Sequence, residues 1–465
     1  MATDSTGGFT HICDLRVGNV NTVRGFVQNI ASTASMRFLK VYDGTTANPL
    51  QITIDVTLPI ANISVQKGQF IEVTGAVVES PMEGQAIEMN ASMICPFGKI
   101  VDTGTFLPLA KRMSINNLRG ENAYLRPRFQ SFQAIFRIRD EAEHAIHDFM
   151  RLHHYLKTDP NILTAADCEG AGEMFQVKAG AKGEDFFPGK NVGLTVSSQL
   201  QLEALAVLGA GVYTMNKSFR AERSKTSRHL AEFTHLEWES YQLDTLDRLM
   251  NFSENIVRFV IRRVIDNRFA ELKVLDSFVS KGIIERLTDI TSCEAFARIS
   301  YTEAVDILTR DTAKVKTLYE LESVPVWGED LGSKCERYLA EQIFKSPVFV
   351  YNYPRDLKSF YMKINPADEF GRMTVQGCDL LIPGLGELIG SSVREDNYEA
   401  LMGEMERRNM GVGGLEWYID LRKNGSFPHG GAGLGFDRLI QMLCFVEGNI
   451  RDVVPFPVAF QECDF

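Results

Sequence analysis

No two of the eight cysteines, Cys13, Cys95, Cys168, Cys293, Cys335, Cys378, Cys444 and Cys463, stand in a CxxC spacing. That pattern is neither a disulfide framework nor a zinc knuckle, and it fits the reduced, mostly buried thiols of a cytoplasmic protein. The sequence has no run of about 18 apolar residues, so no part of it reads as a membrane span. Met1–Thr10 carries one charge, Asp4, and no apolar run, unlike a signal peptide or an Arg-rich transit peptide. Positive charge is in deficit: 49 Lys and Arg against 60 Asp and Glu give a formal charge of −11. This argues against a protein that coats nucleic acid non-specifically, though not against a local basic groove. Apolar material is not scarce. At 465 residues with 45% hydrophobic and 23% charged, the chain is no disordered tract, and its length suggests two or three domains.

What is present changes character along the chain. Between 12 and 100, Val23–Val27, Arg37–Val41, Leu50–Ile54 and Phe70–Thr74 mix β-branched or aromatic residues with polar ones. Asp43-Gly44 and Lys67-Gly68 punctuate them, which predicts about five short strands in a small β-barrel or a β-sandwich. From Lys111 to Arg128 five basic residues, Lys111, Arg112, Arg119, Arg126 and Arg128, face one acid, Glu121. The stretch reads either as a solvated linker or as a phosphate-contacting hinge. After Gln130 the period becomes helical: Ile138, Ala142, Ala145, Ile146 and Phe149 share a face, and Asp159-Pro160 should end that element. A second amphipathic helix is predicted near 245–265.

Three segments could carry chemistry. In Ser218–Glu237, Arg220 and Arg228 flank a polar loop and Phe233 opens the returning strand. Guanidiniums grip phosphates bidentately and an aromatic face accepts a purine, although a solvated hairpin has the same charge pattern. In His429–Leu439, dense glycines let backbone approach a ligand, and Arg438 follows at a helix start. In Asp379–Arg394, two carboxylates flank a Pro-Gly turn and could share Mg²⁺ if phosphates supply other ligands. Glu387 and Arg394 are seven residues apart, so facing one site requires a bend or bulge, placed at Gly390. Ordinary surface acids remain the alternative.

Taken together these segments resemble the class II aminoacyl-tRNA synthetases of the aspartate, asparagine and lysine subclass. Phe219–Glu222 through Glu232-Phe233 resembles motif 2, Gly431–Arg438 motif 3, and the helix before Pro160 motif 1. Cys168–Phe175, Leu194–Leu200, Thr226–Phe233 and Asn449–Val453 resemble the asparagine-specific members. The resemblance implies an α+β protein. An N-terminal five-stranded OB-fold barrel for the anticodon occupies 1–105, followed by a hinge at 106–130. A catalytic domain follows at 131–465, with an antiparallel sheet flanked by helices. Motifs 1, 2 and 3 fall at about 135–160, 216–239 and 429–445, with a helical insertion at about 270–345.

The resemblance also implies partners and roles: ATP, L-asparagine and tRNA(Asn), Mg²⁺ as cofactor, a homodimer built on the motif 1 helix, and no membrane. Arg220 would hold the α-phosphate and the substrate carboxylate. Glu222 and Phe233 would read and stack on adenine, and Arg228 and Arg438 would bind the β- and γ-phosphates. Asp379 and Glu387 would ligate Mg²⁺. Glu169 would hold the substrate ammonium, Gln199 would line the pocket, and Glu203 and Arg394 would bracket the side-chain amide. Arg24, Phe38 and Gln51 would meet the tRNA. Aspartate-specific relatives carry a lysine shortly after the Gln-Leu pair. Here Gln199–Glu203 has none, and Glu203 is expected to carry the preference for asparagine. An aspartate-accepting or non-discriminating enzyme, and a silent tRNA-binding paralogue, are the competing readings. The sequence departs from the family at Val458, where arginine is usual, and at Gln28–Ser35, a stretch expected to be a basic loop that has no charge.

Overall fold

The computed structural model describes residues 8–82, 85–101, 115–166, 168, 174–178, 186–445 and 448–465. The chain divides into two compact units, 1–137 with 270–279, and 138–269 with 280–465.

The first unit holds a closed barrel in the order β1-β2-β3-β5-β4. Its strands are β1 (Val20–Ser32), β2 (Met36–Tyr42), β3 (Leu50–Asp55), β4 (Phe70–Glu79) and β5 (Ile87–Phe97). Alternation decides its interior. Val23, Val27, Leu39, Val41, Ile52, Ile54, Ile71 and Val73 point inward and form one buried core, and polar neighbours point out. The uncharged stretch expected to be a loop is mostly strand, since β1 runs on to Ser32. Of the basic linker residues, Arg126 is no phosphate contact. It is fully buried, donates to the Leu118 carbonyl at 2.8 Å and stands 5.0 Å from the Phe132 ring. Arg128 lies 3.7 Å over Phe26. Lys111 and Arg112 lie outside the described residues.

The second unit is built on an eight-stranded sheet in the order β11-β12-β13-β14-β15-β10-β9-β6, with a small separate pair β7-β8. The strands are β6 (Tyr155–Lys157), β7 (Leu163–Thr164), β8 (Gly193–Leu194), β9 (Gly211–Phe219) and β10 (Glu232–Ser240). They continue as β11 (Ala297–Ser300), β12 (Val348–Tyr351), β13 (Gly377–Ile382), β14 (Gly386–Val393) and β15 (Gly430–Gly435). Six consecutive strands, β12 to β9 in the sheet order, pair antiparallel, and β11–β12 and β6–β9 pair parallel. The expected insertion at 270–345 is mainly short helices, but it also supplies the edge strand β11.

Two expectations about the first long helix need correction. It spans Gln130–Leu152 and ends before β6, well short of Pro160. Its apolar face is not an open dimer surface. Ala142, Ala145 and Ile146 are fully buried by the chain itself, and Phe149 packs on Phe252 and Phe259 with ring centroids 5.3 and 5.4 Å away. Those partners sit on the helix Leu246–Asn267, capped by the Thr245 side chain, the second amphipathic helix expected from the sequence.

Candidate functional site

Strands β9 and β10 form the hairpin that positions the first arginine. Arg220 directly follows β9, and its amide donates to the Ala231 carbonyl at 3.0 Å, so the backbone register extends to it. Phe233 pairs with Ser218 across the hairpin, and the Arg220 guanidinium stands 5.4 Å from the Phe233 ring. Glu222 is 3.4 Å from the His229 ring nitrogen and 4.0 Å from Arg220. On the opposite side, the helix Phe436–Cys444 begins right after β15 and presents Arg438, which donates to the Glu387 carbonyl at 2.8 Å. Arg220, Glu222, Arg228, Phe233, Glu387 and Arg438, the six residues expected around ATP, all line one cavity. Glycine makes its floor possible: a Cβ on Gly433 would come 2.6 Å from His235.

Asp379 and Glu387 are brought together by β13 and β14. The register shifts so that Leu388 is the extra residue, two positions before the bulge expected at Gly390. The extra residue restores Glu387, Gly390 and Arg394 to one face. A Cβ on Gly390 would lie 3.2 Å from a Glu387 carboxylate oxygen and 3.6 Å from one of Asp379. Two converging carboxylates suit a hard cation whose other ligands are phosphate oxygens and water, so this donor set fits Mg²⁺. Among the described residues no group of three or more His, Cys, Asp or Glu could hold a metal alone. Lys358 is ion-paired with Asp379. Glu336 lies nearby. Burial, then the charges of Glu387 and Asp379, push its pKa up to about 8.

The far end of the site is dry. Glu203 does not face an open pocket, contrary to expectation: its side chain has no exposure at all. It accepts from Gln199 at 2.9 Å, from the Tyr418 hydroxyl at 2.9 Å and from Arg422, and its other oxygen contact is the His429 ring at 3.0 Å. Burial works to raise its pKa, but Arg422, His429 and Arg394 outweigh it and hold the carboxyl well below the usual range. Arg394 lies 3.9 Å from Glu203 and is bound chiefly by Glu239 and Ser392. Glu239 behaves oppositely to Glu203: burial pushes its pKa up to about 7 against the pull of Arg394. Glu237, two residues earlier on β10, holds the Ser197 hydroxyl and accepts from the Ser198 amide at 2.9 Å, fixing the turn into the helix that carries Gln199 and Glu203. Sequence reading missed Glu237, Glu239, Arg422, His429 and Lys358. A signal for two of them was available. Phe233, His235, Glu237 and Glu239 alternate along β10 and share one face.

Glu169 lies outside the described residues. In the barrel unit, Phe38 is half-buried and stands outside the core cluster. It pairs across strands with Thr53, beside Lys40 opposite Gln51, and Gln51 donates to Glu88 at 3.1 Å. Arg24 does not share that patch. Ala31, not Arg24, is the β1 residue opposite Phe38, and Arg24 lies seven residues back along β1, on the other side of the register shift between Val27 and Asn29. Arg24 is paired with Glu72 at 2.7 Å instead. Val458 contributes main chain: its carbonyl accepts from the Ala231 amide at 2.8 Å, pairing the C-terminal segment with the start of β10.

The chain is similar to known proteins. A family model described as tRNA synthetases class II (D, K and N) matches residues 116–459. The asparagine–tRNA ligase of Desulfotalea psychrophila is 42% identical over 94% of this chain and 95% of its own length. The asparagine–tRNA ligase of Haemophilus influenzae is 41% identical over 97% of each chain. Among solved structures, asparaginyl-tRNA synthetase from Pyrococcus horikoshii complexed with asparaginyl-adenylate superposes with a TM-score of 0.82 at 29% identity, covering 96% of both chains.

Proposed function

Because the chain belongs to the class II tRNA synthetases of the D, K and N group, we propose that it is the member that attaches asparagine to tRNA(Asn) through an asparaginyl-adenylate, releasing pyrophosphate and then AMP. The observation that carries this reading is the buried Arg394–Glu239 pair at the end of the phosphate cradle. Arg394 donates to the side-chain oxygen of the substrate, and Glu239 accepts from its amide NH₂. Aspartate would place a second carboxylate against Glu239. The stretch Gln199–Leu205 has no lysine to neutralise it.

No protein nucleophile is needed. An oxygen of the asparagine carboxylate attacks the α-phosphorus of ATP in line, the P–O bond to the β-phosphate breaks, and its electron pair leaves with pyrophosphate. Arg220 holds both reacting anions, so their mutual repulsion is screened and their geometry set before reaction. Phe233 stacks on adenine while Glu222 accepts from its amino group, and Arg228 and Arg438 hold the β- and γ-phosphates. Asp379 and Glu387 would hold Mg²⁺, which when bound supplies further neutralisation of the phosphates. The terminal 3′-hydroxyl of tRNA then attacks the adenylate carbonyl and AMP departs. Phe38 and Gln51 receive the anticodon on the barrel.

A cytoplasmic homodimer completes the reading. All eight cysteines are free thiols. The edge strand β6 and its surroundings expose Leu152, Leu156, Val207 and Leu208, a surface suited to a two-fold contact. A sedimentation mass of one 52.2 kDa chain would remove the dimer. ATP–pyrophosphate exchange with asparagine and aspartate side by side tests the function itself: exchange must depend on asparagine, and equal rates would favour the non-discriminating enzyme.

A further inference from the structure

Asp379 and Glu387 each divide their two carboxylate oxygens. On Asp379, Oδ2 is held by the Lys358 ammonium at 2.5 Å, while Oδ1 lies 3.6 Å from the point that a Cβ on Gly390 would occupy. On Glu387, Oε2 stands 3.9 Å from the Arg438 guanidinium, while Oε1 lies 3.2 Å from that same point. One oxygen of each acid is thus turned to a cation of the protein. The other is turned to the space that Gly390, lacking a side chain, leaves open.

Lys358 is fixed where it stands. It follows the short helix Arg355–Leu357, and its carbonyl accepts from Arg408 at 2.8 Å. Its ammonium lies 4.0 Å over the ring of buried Tyr353, so a carboxylate and an aromatic face grip it together. The charges around the pair are already balanced. A third acid, Glu336, and Arg228 come within 3.5 and 3.3 Å of the position of a Cβ on Gly386. Lys358, Arg438 and Arg228 therefore stand against Asp379, Glu387 and Glu336, so the cluster carries no net negative charge before any metal enters.

We infer that Lys358 is the resident counter-cation of the Asp379–Glu387 pair and makes divalent-cation binding depend on the triphosphate. The inference rests on the adenylation reading above, in which these two acids hold Mg²⁺. A divalent ion entering the free protein meets a neutralised cluster, and Lys358 repels it from the other oxygen of Asp379. An ion entering with ATP brings phosphate oxygens, whose charge the cluster does not cancel, and hard cations of this kind are held by few carboxylates when phosphates supply other ligands. Lys358 at the same time keeps Oδ1 of Asp379 turned toward Glu387, so the two acids are set before the ion arrives.

Mn²⁺ reads the site without turnover. The full-length protein is titrated with Mn²⁺ in the absence of nucleotide and followed by electron paramagnetic resonance. Lys358→Met should bind the ion about tenfold more tightly than wild type, because one positive charge beside it is gone. Lys358→Gln removes the same charge and serves if Lys358→Met does not fold, and Lys358→Arg, which keeps the charge, should behave as wild type. In wild-type crystals, anomalous scattering from Mn²⁺ between Asp379 and Glu387 should appear with α,β-methylene-ATP and be absent when Mn²⁺ is soaked alone. An affinity unchanged or weakened in a folded neutral variant overturns the inference. So does Lys358→Arg binding as tightly as the neutral variants, or a wild-type peak without nucleotide. If no peak appears even with the nucleotide bound, the metal reading of Asp379 and Glu387 fails and the inference falls with it, while asparagine-dependent exchange decides the adenylation reading separately.

Discussion

The two ends of the site are built in opposite ways. At the nucleotide end, Arg220, Arg438 and Glu387 keep 31%, 33% and 44% of their side chains exposed. They stand around a cavity with few contacts to one another. At the amino-acid end, Glu203, Glu239, Arg394, Arg422 and His429 are exposed by 4% or less and are bound to each other and to neighbours such as Gln199, Ser392 and Tyr418. Flexible triphosphate needs charges that remain available. Asparagine and aspartate have nearly the same shape, so the choice between them needs a fixed polarity, and polarity is fixed most firmly where water is excluded. On the proposed function, the open end would serve binding and rate, and the closed end selectivity.

Glu203 is where the contrast is most exposed to test. Glu203→Ala strands Arg422 in the interior beside His429, so stability should fall by about 3–5 kcal/mol, read as a lower melting temperature and denaturant midpoint. A variant as stable as wild type would mean that the buried network is not a unit. At the open end the opposite signature is expected. Arg220→Ala and Arg438→Ala should fold normally yet react about 10²–10³ more slowly in exchange, because each guanidinium stabilises charge that develops in the transition state. Exchange close to wild type in either variant would remove that residue from the cradle.

A pH experiment probes the closed end alone. Glu239, with its pKa pushed up to about 7, takes up a proton as pH falls through that value. The charged acceptor for the substrate amide then disappears, and so does the charge that repels aspartate. The ratio of kcat/KM for asparagine over aspartate should therefore fall on acidification through this range, and a flat ratio would rule Glu239 out as the discriminating acceptor. The smallest effects belong to the barrel. Phe38→Ala should weaken tRNA binding by about 1–3 kcal/mol, the worth of one stacked base, and leave exchange untouched. Arg24→Ala should cost about 0–1 kcal/mol, as an exposed pair away from that patch. Equal rises in the tRNA KM would mean that both residues meet the RNA.

The grouping of residues at the open end was legible because each sits where its own stretch of chain puts it. Arg220 and Phe233 are set by strand alternation on one hairpin, and Arg438 by the glycine-rich strand that ends at a helix start. Glu203 was misjudged because a helix residue's partners come from elsewhere. Tyr418, Arg422 and His429 are more than two hundred residues away in the chain. The helix Gln130–Leu152 taught the same lesson. Its apolar face was correctly read, but what covers that face, Phe252 and Phe259, is a tertiary matter. The bulge between β13 and β14 was required by the odd spacing of Glu387 and Arg394, but spacing alone did not place it at Leu388.

Local periodicity was enough for the strands of the barrel, and short motifs were enough for the hairpin and glycine strand of the cradle and for the family resemblance that implied both folds, because the residues involved are neighbours in the chain. That Glu203 is consumed in holding Arg422 and His429, while Glu239 is paired with Arg394, emerged only from the packed molecule. The same holds for the covering of the long helix by its own chain and for the pairing of Lys358 with Asp379. Charge and burial depend on what distant segments bring to the same place, and no pattern in one segment records what will pack against it.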